Sequence, residues 1–381
     1  MVSWRIPLYK IYWDENDVKR MAEVIRSGAY WATGSNLEKL ENMVAQYAGR
    51  KYAIAFNSGT SALHAILLAY KVKDGCEIIV PSFTFIATAN SALFVNAKPI
   101  FADVEEETLG LDPEDVKERI TTRTGAIIPV HYGGCACRIR ELKEIAEDYS
   151  LLLIEDAAES IGAKVKGQLV GSFGDAAMFS FCGNKIVTTG EGGVVVTDSK
   201  RIRERLMLIR SHGRLEVEDY FSSVRTMDYV TLGYNWRMSN IVAALGISQF
   251  GKLDKLLRMR RNNASYMTGK LSKISGIAPP NPPDDYFHVY QLYTIRVKGG
   301  EKTRDDLRDY LARNRIMSKV YFLPVHLTSF YRKLGYGEEE LPLTENLSRL
   351  VLSLPMYPSL KKHEMDFIVS KVKRFMSGRE R

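Results

Sequence analysis

"AAMFSFCGNKIVTTGEGGVVVTD" runs from Ala176 to Asp198 and holds two apolar, strand-like runs, "AAMFSF" (176–181) and "GVVVT" (193–197), with one lysine, Lys185, between them. Lysine is a poor choice for the space between two buried strands, because an ammonium is costly to bury unless it is paired. Lys185 is therefore a surface loop residue, a structural ion-pair partner or an amine meant to react. Upstream, the same kind of short apolar run recurs as "YAIAF" (52–56), "EIIVP" (77–81), "KPIFAD" (98–103), "TGAIIPV" (124–130) and "LLLIED" (151–156). Amphipathic segments such as "SALHAILLAYKV" and "RIRELKEIAEDY" lie between most of them. Strand, helix, strand at this spacing predicts right-handed crossovers and a mostly parallel sheet covered on both faces. Sheets of that kind bind ligands at the carboxyl ends of their strands.

Beyond residue 240 the pattern changes. Residues 240–273 read as helix, "GIAPPNPPDD" (276–285) is a proline-rich break, "VYQLYTIRV" (289–297) reads as a strand, and 303–314 and 364–376 read as helices. The expected organisation is a large α/β domain over residues 1–255 and a smaller α+β domain over 256–381, with the N-terminal segment packing on the smaller one.

Composition sets outer limits. The chain has 381 residues, 45% hydrophobic and 26% charged, enough for a substantial core. No apolar run reaches the length of a membrane span, and the first twenty residues lack the pattern of a secretory signal, so the expectation is a cytoplasmic protein with no membrane partner. Four cysteines (76, 135, 137, 182) make no disulfide framework, and "CAC" lacks a second pair at zinc-ligand spacing, so no metal is expected. The net charge of +8 is spread along the chain without a nucleic-acid motif, which argues against a nucleic-acid partner.

Three chemical features stand out. "FNSGTSALH" places Ser58, Gly59 and Thr60 between a strand and a helix, where unpaired amides and the positive end of the helix dipole suit a phosphate. Ser58 is equally well placed as a plain N-cap. At the end of "LLLIED", Glu155 and Asp156 point to opposite faces of a strand, and one of them lies where an acid can serve a ligand or cap the next segment. Lys185 follows 29 residues after Asp156, and adjacent parallel strands bring both loop ends to one sheet edge. A phosphate turn, an acid and a lysine on one edge are what pyridoxal phosphate requires.

With those residues in place, "NSGTSALH", "VPSFTFIATANS", "PVHYGG", "EDAAESIGA", "GSFGDAAMFSFCGNKIVTTGEGG" and "LGYNWRMSNIVAALG" together resemble the DegT/DnrJ/StrS family of sugar aminotransferases, from about residue 6 to residue 375. The resemblance implies a fold-type-I pyridoxal-phosphate enzyme. It implies Lys185 as the Schiff-base lysine, Asp156 as partner of the pyridine nitrogen, and Gly59, Thr60 and Ser180, beside Ser58, around the phosphate. Phe85 would stack on the ring, and Glu159 would lie near its 3-hydroxyl, a position where many relatives carry Gln or His. Asn235 would reach the phosphate of a neighbouring subunit, making the active unit a homodimer. His326 and Glu191 would face substrate, while His131 is a motif residue without an assigned role. Relatives that remove a sugar hydroxyl carry histidine at the lysine position, so Lys185 implies transamination.

The activity expected is transfer of an amino group, from L-glutamate, to a 4-keto-6-deoxy sugar nucleotide in amino-sugar and polysaccharide biosynthesis, in the manner of GDP-perosamine synthases. The alternatives are another keto-sugar or keto-cyclitol acceptor, and a pyridoxal-phosphate-binding regulator without turnover. A nicotinamide enzyme read from "TGEGG" fails on spacing, because no G-x-G-x-x-G there leaves a strand and opens a helix.

Overall fold

The computed structural model describes residues 4–215, 223–338 and 340–378. Its central sheet has seven strands: β1 (Tyr52–Phe56), β2 (Glu77–Pro81), β3 (Lys98–Ala102), β4 (Thr124–Ile127), β5 (Leu152–Asp156), β8 (Ala176–Ser180) and β9 (Gly193–Thr197). Their order is β1-β9-β8-β5-β4-β2-β3. All neighbours pair in parallel except β9, which runs antiparallel to both β1 and β8. Every apolar run read as a strand upstream of residue 200 is one, with several ends shorter by a few residues. The intervening short strands β6 (Lys164–Val165) and β7 (Gln168–Leu169) form a small separate sheet with Tyr286–Phe287.

Alternation along these strands divides the core in two. Ala53 and Ala55 of β1, Leu153 of β5 and Ala177 and Phe179 of β8 pack on one face with the helices Ser35–Ala48, Ile139–Asp148 and Asn240–Phe250. Ile54, Phe56, Ile154, Ala176 and Met178 pack on the other with the helices Gly59–Tyr70, Ala87–Leu93 and Lys200–Arg210. Both faces are covered, which is why these strands read as continuous apolar runs rather than as alternating ones.

A third core belongs to the C-terminal part. Tyr293, Ile295 and Val297 of the strand Tyr293–Val297 and Leu352 and Leu354 of Val351–Leu354 pack against Leu307, Leu311, Ile368 and Val372 from two helices. Ile6 joins this core, and its backbone pairs with Ile316. The helical stretch read over 240–273 is two helices, Asn240–Phe250 and Leu253–Leu271. The second spans both regions: Leu253, Leu256 and Leu257 enter the sheet core, and Ala264, Met267 and Leu271 enter the C-terminal one. The strand expected from residue 289 starts at Tyr293, because the Val289 and Leu292 amides are spent on the carbonyls of Gly134 and Gly133, at 2.9 and 3.0 Å.

Candidate active site

The carboxyl ends of β1, β5 and β8 meet at a cavity of about 470 Å³. Its wall is built first by the turn after β1. Ser58 is extended and caps the helix Gly59–Tyr70, its Oγ accepting the Ser61 amide at 3.1 Å while its carbonyl takes the Ala62 amide at 3.1 Å. Of the helix's first four amides, those of Gly59 and Thr60 remain as orphan donors at the cavity wall, at the positive end of the dipole. The Ser58 hydroxyl is committed to the cap and to Ser61 Oγ at 2.8 Å. Ser180, the last residue of β8, lies beside the turn, 3.3 Å from where a Cβ on Gly59 would stand. Gly193 closes the turn from behind: a Cβ there would lie 2.6 Å from Gly59 N and from Ser58 O.

Asp156 ends β5 on the cavity side. It is 5% exposed, and its Oδ2 accepts from Thr88 Oγ1 at 2.8 Å and its Oδ1 from the Ala158 amide at 3.1 Å. Thr88 is in turn paired with Thr84 at 2.9 Å. Burial pushes the Asp156 carboxyl above its ordinary value, against the opposing pull of Thr88, the Ala158 amide and the Lys185 charge. A carboxylate in that state is short of positive charge.

Glu155, one residue earlier, points to the opposite face and is fully buried. It accepts from His131 Nε2 at 3.1 Å and from the amides of Gly171, Phe173 and Gly174, each at 2.8 Å. Burial raises the Glu155 carboxyl, but the His131 bond and these amides outweigh it and hold it below its ordinary value. His131 Nδ1 accepts the Cys137 amide at 3.2 Å, so the ring proton sits on Nε2. His131 thus acquires a role, tying the 131–137 loop to the back of β5.

Lys185 lies on the loop that joins β8 to β9. Phe181 N bonds Gly192 O and Thr189 N bonds Phe181 O, each at 2.9 Å, so the loop is closed on itself. Gln291 Nε2 holds the Asn184 carbonyl at 2.8 Å. The Lys185 Nζ donates to Glu159 Oε1 at 3.2 Å, and Glu159 Oε2 accepts the Gly133 amide at 2.9 Å. Lys185 is therefore neither a free surface lysine nor an unpaired buried one; it faces the cavity across from an anchored carboxylate.

Ser58, Gly59, Thr60, Phe85, Asp156, Glu159, Ser180, Lys185 and Glu191 all line this one cavity. Phe85 is 60% exposed, which removes it from the core and leaves its ring on the cavity wall. Two expected residues do not line it. Asn235 is exposed, pairs with Ser211 in an isolated bridge, and lies away from its own chain's cavity. His326, expected to face substrate, is wholly buried instead. Its Nδ1 lies 2.6 Å from Ser82 Oγ and its Nε2 3.7 Å from Glu345 Oε1, so it braces the wall from within. The chain around His326 does reach the cavity, but through Lys319, Tyr321 and Phe322, which sequence reasoning did not single out. Thr88 was also missed, although its place four residues after Thr84, at the start of a helix, was visible. Residues 216–222, in the loop between the helix Lys200–Arg210 and the helix Asn240–Phe250, lie outside the described residues.

The arrangement fits pyridoxal phosphate. Orphan amides at a helix N-terminus suit the phosphate, a buried acid lacking a cation suits a protonated ring nitrogen, and a lysine faces the same space.

Comparison with known proteins agrees. The sequence profile of the DegT/DnrJ/EryC1/StrS aminotransferase family matches residues 12–373. The chain belongs to this family. A GDP-perosamine synthase of Escherichia coli O157:H7 is 33% identical over 374 residues, covering 98% of this chain and 99% of its own. The structure of Helicobacter pylori PseC, an aminotransferase involved in pseudoaminic acid biosynthesis, superposes with a TM-score of 0.93 at 27% identity, over 98% of this chain and 99% of that one. The PLP form of a Streptococcus pneumoniae protein assigned as a sugar aminotransferase superposes with a TM-score of 0.91 at 26% identity, over 99% of both chains. The protein is a sugar aminotransferase whose cofactor is pyridoxal phosphate. Among the described residues, no helix is long and apolar enough to cross a membrane.

Proposed function

We propose that this aminotransferase moves an amino group from L-glutamate to a 4-keto-6-deoxy sugar nucleotide, in the manner of the GDP-perosamine synthases it resembles. The observation that carries the reading is the convergence of Lys185, Asp156, Glu159 and the Gly59–Thr60 amides on one cavity. In that reading Gly59, Thr60 and Ser180 would hold the cofactor phosphate, Phe85 would cover the ring, and Asp156 would pair with a protonated ring nitrogen. Bound pyridoxal phosphate supplies the carbonyl carbon that carries the amino group and a ring that withdraws electrons. With the cofactor bound, Lys185 Nζ would be the group of this chain placed to carry the transferred proton at the cavity. Glu159 would orient Lys185 and stand near the ring's 3-hydroxyl, and Glu191 would face the incoming substrate from the cavity wall.

We further propose a cytoplasmic homodimer in which Asn235 completes the neighbour's phosphate site. Free cysteines suit a reducing compartment. Exposed Trp13, Tyr30, Trp31 and Leu232 give the subunit apolar surface to bury. The large and small domains divide near residue 255, within the helix that feeds both cores.

Glutamate-dependent amination of a panel of GDP-, UDP- and dTDP-linked keto-sugars, read as 2-oxoglutarate and amino sugar formed, tests the assignment. The expected result is turnover on at least one 4-keto-6-deoxy sugar nucleotide, lost in Lys185→Ala together with the visible absorbance of the loaded protein. No amination of any keto-sugar or keto-cyclitol would leave the regulator reading standing. Unchanged turnover in Lys185→Ala would remove the mechanism.

A further inference from the structure

Among the described residues two lysines, Lys185 and Lys319, line the cavity, and no arginine does. Lys185 is engaged by Glu159. Lys319 arrives from the C-terminal part of the chain, and its backbone is fixed there by a two-way bridge. Its amide donates to the Ser353 carbonyl at 3.1 Å, and the Ser353 amide donates to its carbonyl at 2.8 Å. Its ammonium lies 4.9 Å from the centroid of the Tyr321 ring, itself a cavity residue. Among the described residues no carboxylate stands within ion-pair distance of Lys319 Nζ. The acids of the same cavity have partners elsewhere: Asp156 with Thr88, Glu159 with Lys185 and Gly133, and Glu191 with Cys182 Sγ at 3.6 Å.

A cation held at a cavity wall by its backbone, seated on an aromatic ring and left without an anion, is arranged to receive one from outside. Both substrates of a sugar aminotransferase of the kind proposed above carry such a group: the amino donor a carboxylate, the sugar nucleotide a phosphate. We propose that Lys319 is the residue of this chain that binds the substrate oxyanion, and so sets substrate affinity and not the chemistry at Lys185. This rests on the proposed function for the identity of the substrates, but not for the charge that Lys319 recognises.

The test uses the pyridoxal-phosphate-loaded full chain as wild type, Lys319→Met and Lys319→Arg. Binding of 2-oxoglutarate and of inorganic pyrophosphate is measured by calorimetry, and each half-reaction is followed separately by visible absorbance. Losing one charge-assisted contact predicts affinity weaker by about 10- to 100-fold in Lys319→Met. Lys319→Arg should restore most of it, and higher salt should narrow the difference between wild type and Lys319→Met. A carboxylate role weakens 2-oxoglutarate binding and raises KM for glutamate alone. A phosphate role weakens pyrophosphate binding and raises KM for the sugar nucleotide alone. Equal affinity of wild type and Lys319→Met for both probes, including the case where neither protein binds them, overturns the proposal. If no keto-sugar is aminated, the functional reading fails, while the binding comparison still decides Lys319.

Discussion

Gly193→Ala tests whether the turn proposed to hold the phosphate is set by how closely β9 approaches it. Gly193 opens β9, paired across the sheet with Phe56 on one side and Ser180 on the other. A methyl there would stand 2.6 Å from Gly59 N and Ser58 O, and 2.7 Å from Gly59 Cα. All three are backbone atoms, so no side chain can swing aside. Restoring an ordinary contact of about 3.5 Å needs roughly 1 Å of separation between strand and turn. Overpacking of that kind costs about 1–3 kcal/mol. It would also carry the Gly59 and Thr60 amides away from the phosphate they are proposed to hold, by a distance comparable to the width of the hydrogen-bond well. The expected outcome is a lower urea midpoint for the cofactor-free protein and a Kd for pyridoxal phosphate raised by about 10- to 100-fold, the loss of one or two charge-assisted bonds. Gly269→Ala is the control. Gly269 lies in the helix Leu253–Leu271, and a methyl added there would have nothing within 4 Å. That substitution should stabilise by about 0.5–1 kcal/mol and leave cofactor affinity alone. A Gly193→Ala protein matching wild type in both cofactor titration and urea midpoint would show that the close approach does not hold the turn.

Three further outcomes are expected. Because burial raises the Asp156 carboxyl above its ordinary 3.8, the folded chain binds more protons than the unfolded one just above that pH. The group's contribution to stability is therefore full below 3.8 and lost as pH rises through the folded value. Cofactor-free Asp156→Asn should be more stable than wild type at pH 7, with the gap closing as pH falls toward 3.8, while its affinity for pyridoxal phosphate drops; urea melts across pH and a cofactor titration check both signs. Glu155→Gln turns an amide N–H toward donors that now meet a carboxylate, so it should cost about 3 kcal/mol in urea denaturation. His326→Asn should lower stability through Ser82 without raising KM for the sugar substrate, since His326 is buried away from the cavity.

Much of the sheet was legible because its strands are buried on both faces and stand out as apolar runs bounded by polar turns. The antiparallel setting of β9 was not, since pairing direction leaves no mark on a run such as "GVVVT". For Glu155 and Asp156, the alternation of a strand fixed that they part company, and the structure assigned the sides: Asp156 to the cavity, Glu155 to the amides of 171–174. Phe85 was placed at the ring by resemblance alone, because nothing in "PSFTF" itself distinguishes a ring on a cavity wall from one beneath it. Lys319 was invisible, and Tyr321 and Phe322 were not told apart within the stretch around His326, for a different reason. Their place depends on Lys319 pairing with Ser353, a contact between distant segments that local pattern does not encode.

The direction of β9 also accounts for the placement of Lys185 between two buried strands. In a parallel crossover the chain leaves one strand, passes through a helix and returns at the far edge, so a residue just past the strand end sits on a connection that travels away. Here the chain turns back at once onto the neighbouring strand. The loop from Phe181 to Gly192 is pinned at its neck by Phe181, Thr189 and Gly192 and at its tip by Gln291 on Asn184. Lys185 is thereby held at the edge where β5 delivers Asp156 and β1 delivers the Ser58–Thr60 turn. The same reversal brings Gly193, at the start of β9, against that turn. One antiparallel strand in a parallel sheet thus positions both Lys185, the amine proposed to react, and the turn proposed to hold the phosphate, and the absence of a side chain at 193 is the condition for their coming together.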